Sequence, residues 1–247
     1  MEKGSYQKMI QMSNVKDGFD PELRNAIIKK HTAVIPIGSI EQHGAHLPVS
    51  TDADLAYKVS KKLCSKTGYL LLPVIQYGVS REHAPLFNLS LRPATLRSLV
   101  CDLVKSSAEL GIRTIFVING HHGNQAALKG VEKMAEKACK GKVKTFVFSY
   151  WKFMSEGFDH AGHIETSLML AVSKNTRMSR AIKGFEEPKG AKLKEATRLA
   201  SKSFVSVTKN GIWGDPRSAT ASDGKRMLAT IVKNLEKKCR MCINDTA

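Results

Sequence analysis

A chain of 247 residues with 42% hydrophobic side chains can bury one large α/β core or two small ones, and no apolar run approaches the ~20 residues that cross a bilayer. The formal net charge of +17 implies attraction to anions, yet only 6% of residues are aromatic and no basic-aromatic motif occurs, so nucleic acid is not the expected partner. Five cysteines, an odd number with no secretory segment ahead of them, fit a reducing cytoplasm, and the lone Cys239-Arg-Met-Cys242 pair is weak evidence for zinc.

Residues 32–37 read as a buried strand. Beyond it lie Glu41, His43 and, at the start of a helix expected over 52–64, Asp52. Residues two apart in extended chain share a side, so Glu41 and His43 face one point, and Asp52 can swing back toward it. Carboxylate oxygens and imidazole nitrogens suit a hydrolytic divalent ion. A second short strand is expected at 69–73, with His83 after it. Thr95 is expected to cap a helix that Gly111 ends. A third strand at 114–118 leads into Asn119-Gly-His-His-Gly-Asn124 and a helix expected over 125–139. The glycines let the backbone turn and approach a ligand, and the amides there suit a developing oxyanion. His121 is the expected ligand, while His122 points elsewhere if the chain stays extended. A fourth strand at 144–149 precedes Asp159-His160-Ala-Gly-His-Ile-Glu165 and an apolar helix over 164–172. Glu165 at that helix start either binds a metal or complements the helix dipole. The lysine-rich stretch 184–199 reads as a surface excursion, and a helix over 222–239 closes the chain.

Strands and helices that alternate, with continuously apolar strands, imply an α/β fold with a mostly parallel sheet covered on both faces. Such sheets bind ligands beyond the carboxyl ends of their strands. His43 and His46, His83, His121 and His122, and His160 and His163 all follow strands, which places them on that edge. The chain shows no linker or repeat, so one domain over 1–247 is expected.

Three motifs now stand in order: Pro36-Ile-Gly-Ser-Ile-Glu-Gln-His-Gly-Ala-His-Leu-Pro-Val-Ser-Thr-Asp52, Asn119-Gly-His-His-Gly-Asn124 and His160-Ala-Gly-His-Ile-Glu-Thr-Ser167. Together with Gly211-Ile-Trp-Gly-Asp-Pro-Arg-Ser-Ala-Thr220, they resemble the creatininase (creatinine amidohydrolase) family over roughly residues 30 to 235. The resemblance implies a three-layer α/β/α sandwich with two divalent ions per subunit (Zn, Mn or Fe) at the strand ends. Glu41 and His43 would each hold one ion and Asp52 would bridge both. His121 and Glu165 would complete the ligands, and His160 would be the catalytic histidine, with Glu165 beside it. Gly120, His122, Gly123, Asn124 and His83 are the expected substrate contacts. A homo-oligomer, plausibly a hexamer, and a cytoplasmic location are expected. Creatinine-hydrolysing members carry a glutamate where this chain has Gly123 and a tryptophan where it has Glu156. The leading substrate is therefore a formylamino-pyrimidine ribonucleotide monophosphate, which would be deformylated, and the positive charge fits its phosphate. Creatinine hydrolysis and cleavage of a mycofactocin-type precursor peptide are the alternatives, and a non-catalytic metal- or nucleic-acid-binding protein is the rival of another class.

Overall fold

A computed structural model describes residues 14–157 and 159–245. Its strands are β1 (Thr32–Ile37), β2 (Leu70–Leu71), β3 (Thr114–Asn119) and β4 (Lys144–Ser149), all parallel in the order β2-β1-β3-β4. The helices among the described residues are α1 (Asp20–Lys30), α2 (Thr51–Thr67), α3 (Pro93–Glu109), α4 (Asn124–Leu128), α5 (Val131–Ala138), α6 (His163–Val172), α7 (Ala191–Ala200), α8 (Phe204–Thr208) and α9 (Ala221–Asn244).

Alternation along the two central strands sets the layers. Val34 of β1 and Phe116 and Ile118 of β3 enter one core, with Leu55 and Leu63 of α2, Leu168 of α6 and Ile231 of α9. Ala33, Ile35 and Ile37, with Ile115 and Val117, enter the other core, against Leu96 and Val100 of α3 and Val131 and Ala135 of α5. Strands buried on both faces have no polar side to show water, which is why they read as unbroken apolar runs. The result is the expected three-layer α/β/α architecture. Among the described residues no helix is long and apolar enough to cross a membrane.

Several elements differ from their sequence reading. The helix expected over 125–139 is two helices, α4 and α5. Lys129 is extended, and Gly130 takes a positive φ of 80° that a left-handed turn requires. The second strand shrinks to Leu70–Leu71 at the sheet edge, with Pro73, which has no amide hydrogen to offer a ladder, just beyond. α3 starts at Pro93 rather than at a Thr95 cap, since a proline fits a first turn whose amides lack partners anyway. α9 runs on to Asn244 and buries Cys239 and Cys242 in the first core. Burial pushes the Cys239 thiol up to about 12, with Cys242 and Glu236 adding to the effect, so it stays protonated and belongs to the packing. The 184–199 stretch is more than a surface excursion: it builds α7, which packs with α8.

This topology creates the site. β1 and β3 are neighbours in register, and Ile37 pairs with Asn119 where both end. The chain leaves β1 toward β2 on one side and returns to β3 on the other, which opens a crevice at their carboxyl ends. Two glycines then let the start of α2 lie on that crevice. A Cβ on Gly38 would fall 2.2 Å from the Ala53 nitrogen, and one on Gly120 would fall 2.5 Å from the Asp52 carbonyl oxygen. Both contacts are to backbone, so a side chain there must push the helix away. Gly120→Ala is expected to cost about 1–3 kcal/mol of stability, the usual penalty of overpacking, read as a lower urea midpoint with an unchanged slope.

Candidate metal centre

Seven buried side chains converge at the crevice. Glu41 and His43 come from the segment after β1, and Asp52 from the first turn of α2. His83 comes from the short turn Arg81–His83 and His121 from the end of β3. His160 and Glu165 come from the entry to α6. Glu41 N donates to Val49 O and Gln42 N to Phe87 O, which keeps this segment extended. Glu41 and His43 therefore share a side, as their spacing requires.

The distances sort the ligands into groups. His121 Nε2 lies 3.2 Å from Glu41 Oε2, and His121 Nδ1 lies 3.0 Å from Asp52 Oδ2. His43 Nε2 lies 3.2 Å from Asp52 Oδ1 and 3.7 Å from Glu165 Oε2. Glu41, Asp52 and His121 each offer a ligand atom within 4.8 Å of the others, and so do His43, Asp52 and Glu165. Asp52 belongs to both groups and turns one oxygen to each. A further group, Glu41 with His43 and His160, is looser, since His160 Nδ1 stands 3.8 Å from Glu41 Oε1.

The chemistry of this donor set fits a divalent ion. Both oxygens of Glu41 and Oδ2 of Asp52 are buried and make no hydrogen bond. Two ligands bound to one ion at about 2.1 Å stand about 3.0–3.4 Å apart, and the Asp52–His121 Nδ1 and His43 Nε2–Asp52 pairs lie at 3.0 and 3.2 Å. A divalent ion held among these donors would give the unbonded oxygens of Glu41 and Asp52 a partner.

Outer groups orient the donors, as they do in metal sites generally. His43 Nδ1 donates to Glu41 O at 3.0 Å, which leaves Nε2 free to bind. His121 Nε2 donates to Val79 O at 2.8 Å, which leaves Nδ1 toward Asp52. Glu165 Oε2 accepts from Ala161 N at 2.7 Å, and Asp159 accepts from Ile164 N and Glu165 N, fixing the first turn of α6. His46 Nε2 lies 2.9 Å from Thr166 Oγ1, behind the ligands.

A cavity of about 280 Å³ opens over these groups. Its far wall is Leu193 and Thr197 of α7, Phe204 of α8 and Trp213, and among the described residues no lysine or arginine lines it. The positive charge of the chain is therefore not delivered to the cavity wall. His83, His122 and Gly123 line this cavity; Gly120 and Asn124 do not. Gly120 packs against α2. Asn124 is fully buried and tied to backbone, donating to Gly38 O at 3.0 Å and accepting from Val79 N at 2.8 Å. The His121 amide is also engaged, donating to Asn119 Oδ1 at 3.1 Å.

Some participants escape sequence reading. Gln42 sits between two ligands and donates from its amide to His83 Nδ1 and Gly211 O. Its place in a charged motif was the available signal. Glu82, beside His83, lines the cavity, and only its adjacency to a histidine marks it. Phe204 comes from a part of the chain with no motif at all.

Comparison with known proteins finds relatives in sequence and in fold. The family model described as "Creatininase: Creatinine amidohydrolase" matches residues 20–239. A mycofactocin precursor peptide peptidase from Mycobacterium ulcerans is 35% identical over 209 residues, covering 81% of this chain and 80% of that protein. A 2-amino-5-formylamino-6-ribosylaminopyrimidin-4(3H)-one 5'-monophosphate deformylase from Methanococcus maripaludis is 27% identical over 208 residues, covering 81% of this chain and 87% of that one. The crystal structure of a creatinine amidohydrolase (creatininase) has the same fold, with a TM-score of 0.79 at 24% identity over 92% of this chain and 96% of its own. Solved creatininases of this fold include a Zn-Zn form and a Mn form.

Charge at the site sets its response to pH. Burial opposes a proton on His43, but Asp52, Glu165 and Glu41 outweigh it and raise the group to about 10. His121 is likewise raised to about 10, by Glu41 and Asp52 against burial. Unfolded histidine titrates near 6.5. Without a metal ion, this stability is fully present below about pH 6.5 and is lost as pH rises toward about 10. Glu165, raised to about 8 by burial and by Asp52 and Asp159, acts in the same direction above its ordinary 4.5. The melting temperature of chelator-treated protein is expected to fall across this range. Added Zn²⁺ or Mn²⁺ is expected to flatten that fall by replacing the imidazolium protons. Identical pH curves with and without metal would contradict the ligand assignment.

Proposed function

The chain belongs to the creatininase family, and we propose that it is a metal-dependent amidohydrolase acting on a compact, largely apolar amide, with two divalent ions held by Glu41, His43, Asp52, His121 and Glu165. The observation that carries this reading is Asp52, whose two oxygens face two ligand groups under one cavity. Zn²⁺, Mn²⁺ and Fe²⁺ all suit such donors. When bound, the ions supply an activated water and polarise the amide carbonyl.

The protein's own contribution centres on His160. Its Nε2 lies 3.1 Å from Gln42 O and 3.1 Å from the Gln42 side-chain nitrogen, which anchors the ring, and its Nδ1 stands 3.8 Å from Glu41 Oε1. Burial, with the positive charge of His43 nearby, holds His160 well below its ordinary pKa, so it is neutral and able to take a proton. Its ring edge meets Phe204, with centroids 4.8 Å apart, on the cavity side. We assign to Nδ1 the transfer of a proton from the attacking water to the leaving nitrogen.

The cavity favours one kind of substrate. Leu193, Phe204 and Trp213 offer an apolar wall, and the carboxylates present would repel a phosphate. Amidohydrolases of this family act on C–N bonds other than peptide bonds, while the mycobacterial relatives are named as peptidases of a precursor peptide. Either kind of substrate fits this wall if its amide carries an apolar group. Deformylation of a pyrimidine nucleotide monophosphate is the second reading, supported by the methanococcal relative, but it needs a phosphate site outside the cavity.

The test is turnover by metal-reconstituted enzyme of four amides: an aromatic formamide, creatinine, a peptide ending in apolar residues and the formylamino-pyrimidine nucleotide. Uncharged apolar amides are expected to react fastest, and a clear preference for the nucleotide would overturn the apolar reading. His160→Ala is expected to lower kcat about 10²–10⁴-fold with metal content unchanged, and full activity in that variant would remove its assigned role.

A further inference from the structure

Gln42 stands between the ligands Glu41 and His43, yet its buried side chain serves other residues. The amide nitrogen lies 2.9 Å from His83 Nδ1, 3.1 Å from His160 Nε2 and 3.0 Å from Gly211 O. The amide oxygen accepts from Gly44 N at 3.0 Å. Backbone thus holds the amide at both ends, and its nitrogen, which offers two hydrogens and accepts nothing, sits between two imidazoles. Those imidazoles are themselves close, with ring centroids 4.8 Å apart. Phe204 packs on both, 4.6 Å from His83 and 4.8 Å from His160.

The segment that begins at Gly211 supplies the far support. Gly211 has a φ of 76°, and a Cβ there would fall 2.1 Å from Gln42 Oε1 and 2.5 Å from Gln42 Cδ, so only a glycine leaves the amide its room. Two residues on, Trp213 N donates to His160 O at 2.8 Å and His160 N donates to Trp213 O at 3.1 Å. One short stretch therefore grips the His160 backbone and also seats the amide that meets its ring.

We propose that Gln42 is a positioning residue that holds His83 and His160 as a pair, with Gly211 as its seat. This rests on the amidohydrolase reading above, in which His160 moves the proton. Both imidazoles line the cavity and Gln42 does not, so it acts on the reaction only through them.

Three variants of the zinc-loaded enzyme test this. Gln42→Glu keeps the shape but loses the amide hydrogens, Gln42→Leu loses every hydrogen bond, and the methyl of Gly211→Ala would push the amide from its far side. Each is expected to lower kcat at least ~10-fold on the best amide, with KM within about 3-fold and bound metal unchanged. A second readout needs no turnover. In protein labelled with ¹⁵N-histidine, the imidazole NMR signals of His83 and His160 are expected to move together in all three variants. Those of His31, which meets Gly111 O before β1, are expected to stay in place. Unmoved His83 and His160 signals, or moved signals with wild-type kcat, would overturn the proposal. Loss of metal in step with kcat would overturn it too, by making Gln42 a support of the ligands instead. If wild type hydrolyses no amide, the amidohydrolase reading fails by itself, and the imidazole signals alone decide whether Gln42 holds the pair.

Discussion

The burial of one carboxylate, Asp52, constrains everything else at this site. A carboxyl this deeply enclosed would ordinarily resist ionisation, yet His43 and His121 hold it well below the usual carboxylate range. The first turn of α2, whose free amides present positive dipole, favours the same negative charge. Each oxygen faces a different imidazole, at 3.2 Å and 3.0 Å. The carboxylate therefore couples two clusters, and neither His43 nor His121 can move without changing the other's partner. Glu41 and Glu165 add negative charge at either side, and that excess is what divalent cations would neutralise.

The fold meets this constraint with backbone as much as with side chains. Parallel pairing of β1 and β3 ends both strands together, so the segments after them open at one place. Gly38 and Gly120 admit α2 at a distance no other residue allows. Asn124 ties Gly38 to Val79, and Val79 in turn accepts from the His121 ring. One buried amide, three residues after His121, thus holds the Val79 segment whose carbonyl meets the His121 ring. Asp159 does the same for Glu165 by satisfying the free amides at the start of α6. Accurate ligand placement here is a product of these supports, which use no reactive chemistry of their own.

The sequence made the sheet and the shared side of Glu41 and His43 legible because both follow short-range rules. Continuous apolar runs at 32–37 and 114–119 can only be two-faced strands, and a spacing of two puts Glu41 and His43 on one side. Longer-range outcomes were hidden. Gly120 and Asn124 lie in a glycine-rich motif that invites a substrate role, yet their work is packing and clasping, decided by α2 and β1 rather than by neighbours in sequence. The break at Lys129–Gly130 lay within an otherwise helical pattern. Phe204 and Leu193 reach the cavity only because α7 and α8 fold back over it, and a lysine-rich composition masks that. The excess of positive charge pointed toward phosphate, but charge counted along a chain says nothing about which face carries it.

The sharing of Asp52 by two ions is the claim on which the rest depends, and metal stoichiometry of Asp52→Asn tests it most directly. The isosteric amide keeps the shape and removes the charge from both ligand groups at once. Elemental analysis after equilibration with Zn²⁺ is expected to find the bound ions of wild type lost together. An Asp52→Asn protein that still holds two ions with wild-type affinity would contradict the bridged centre.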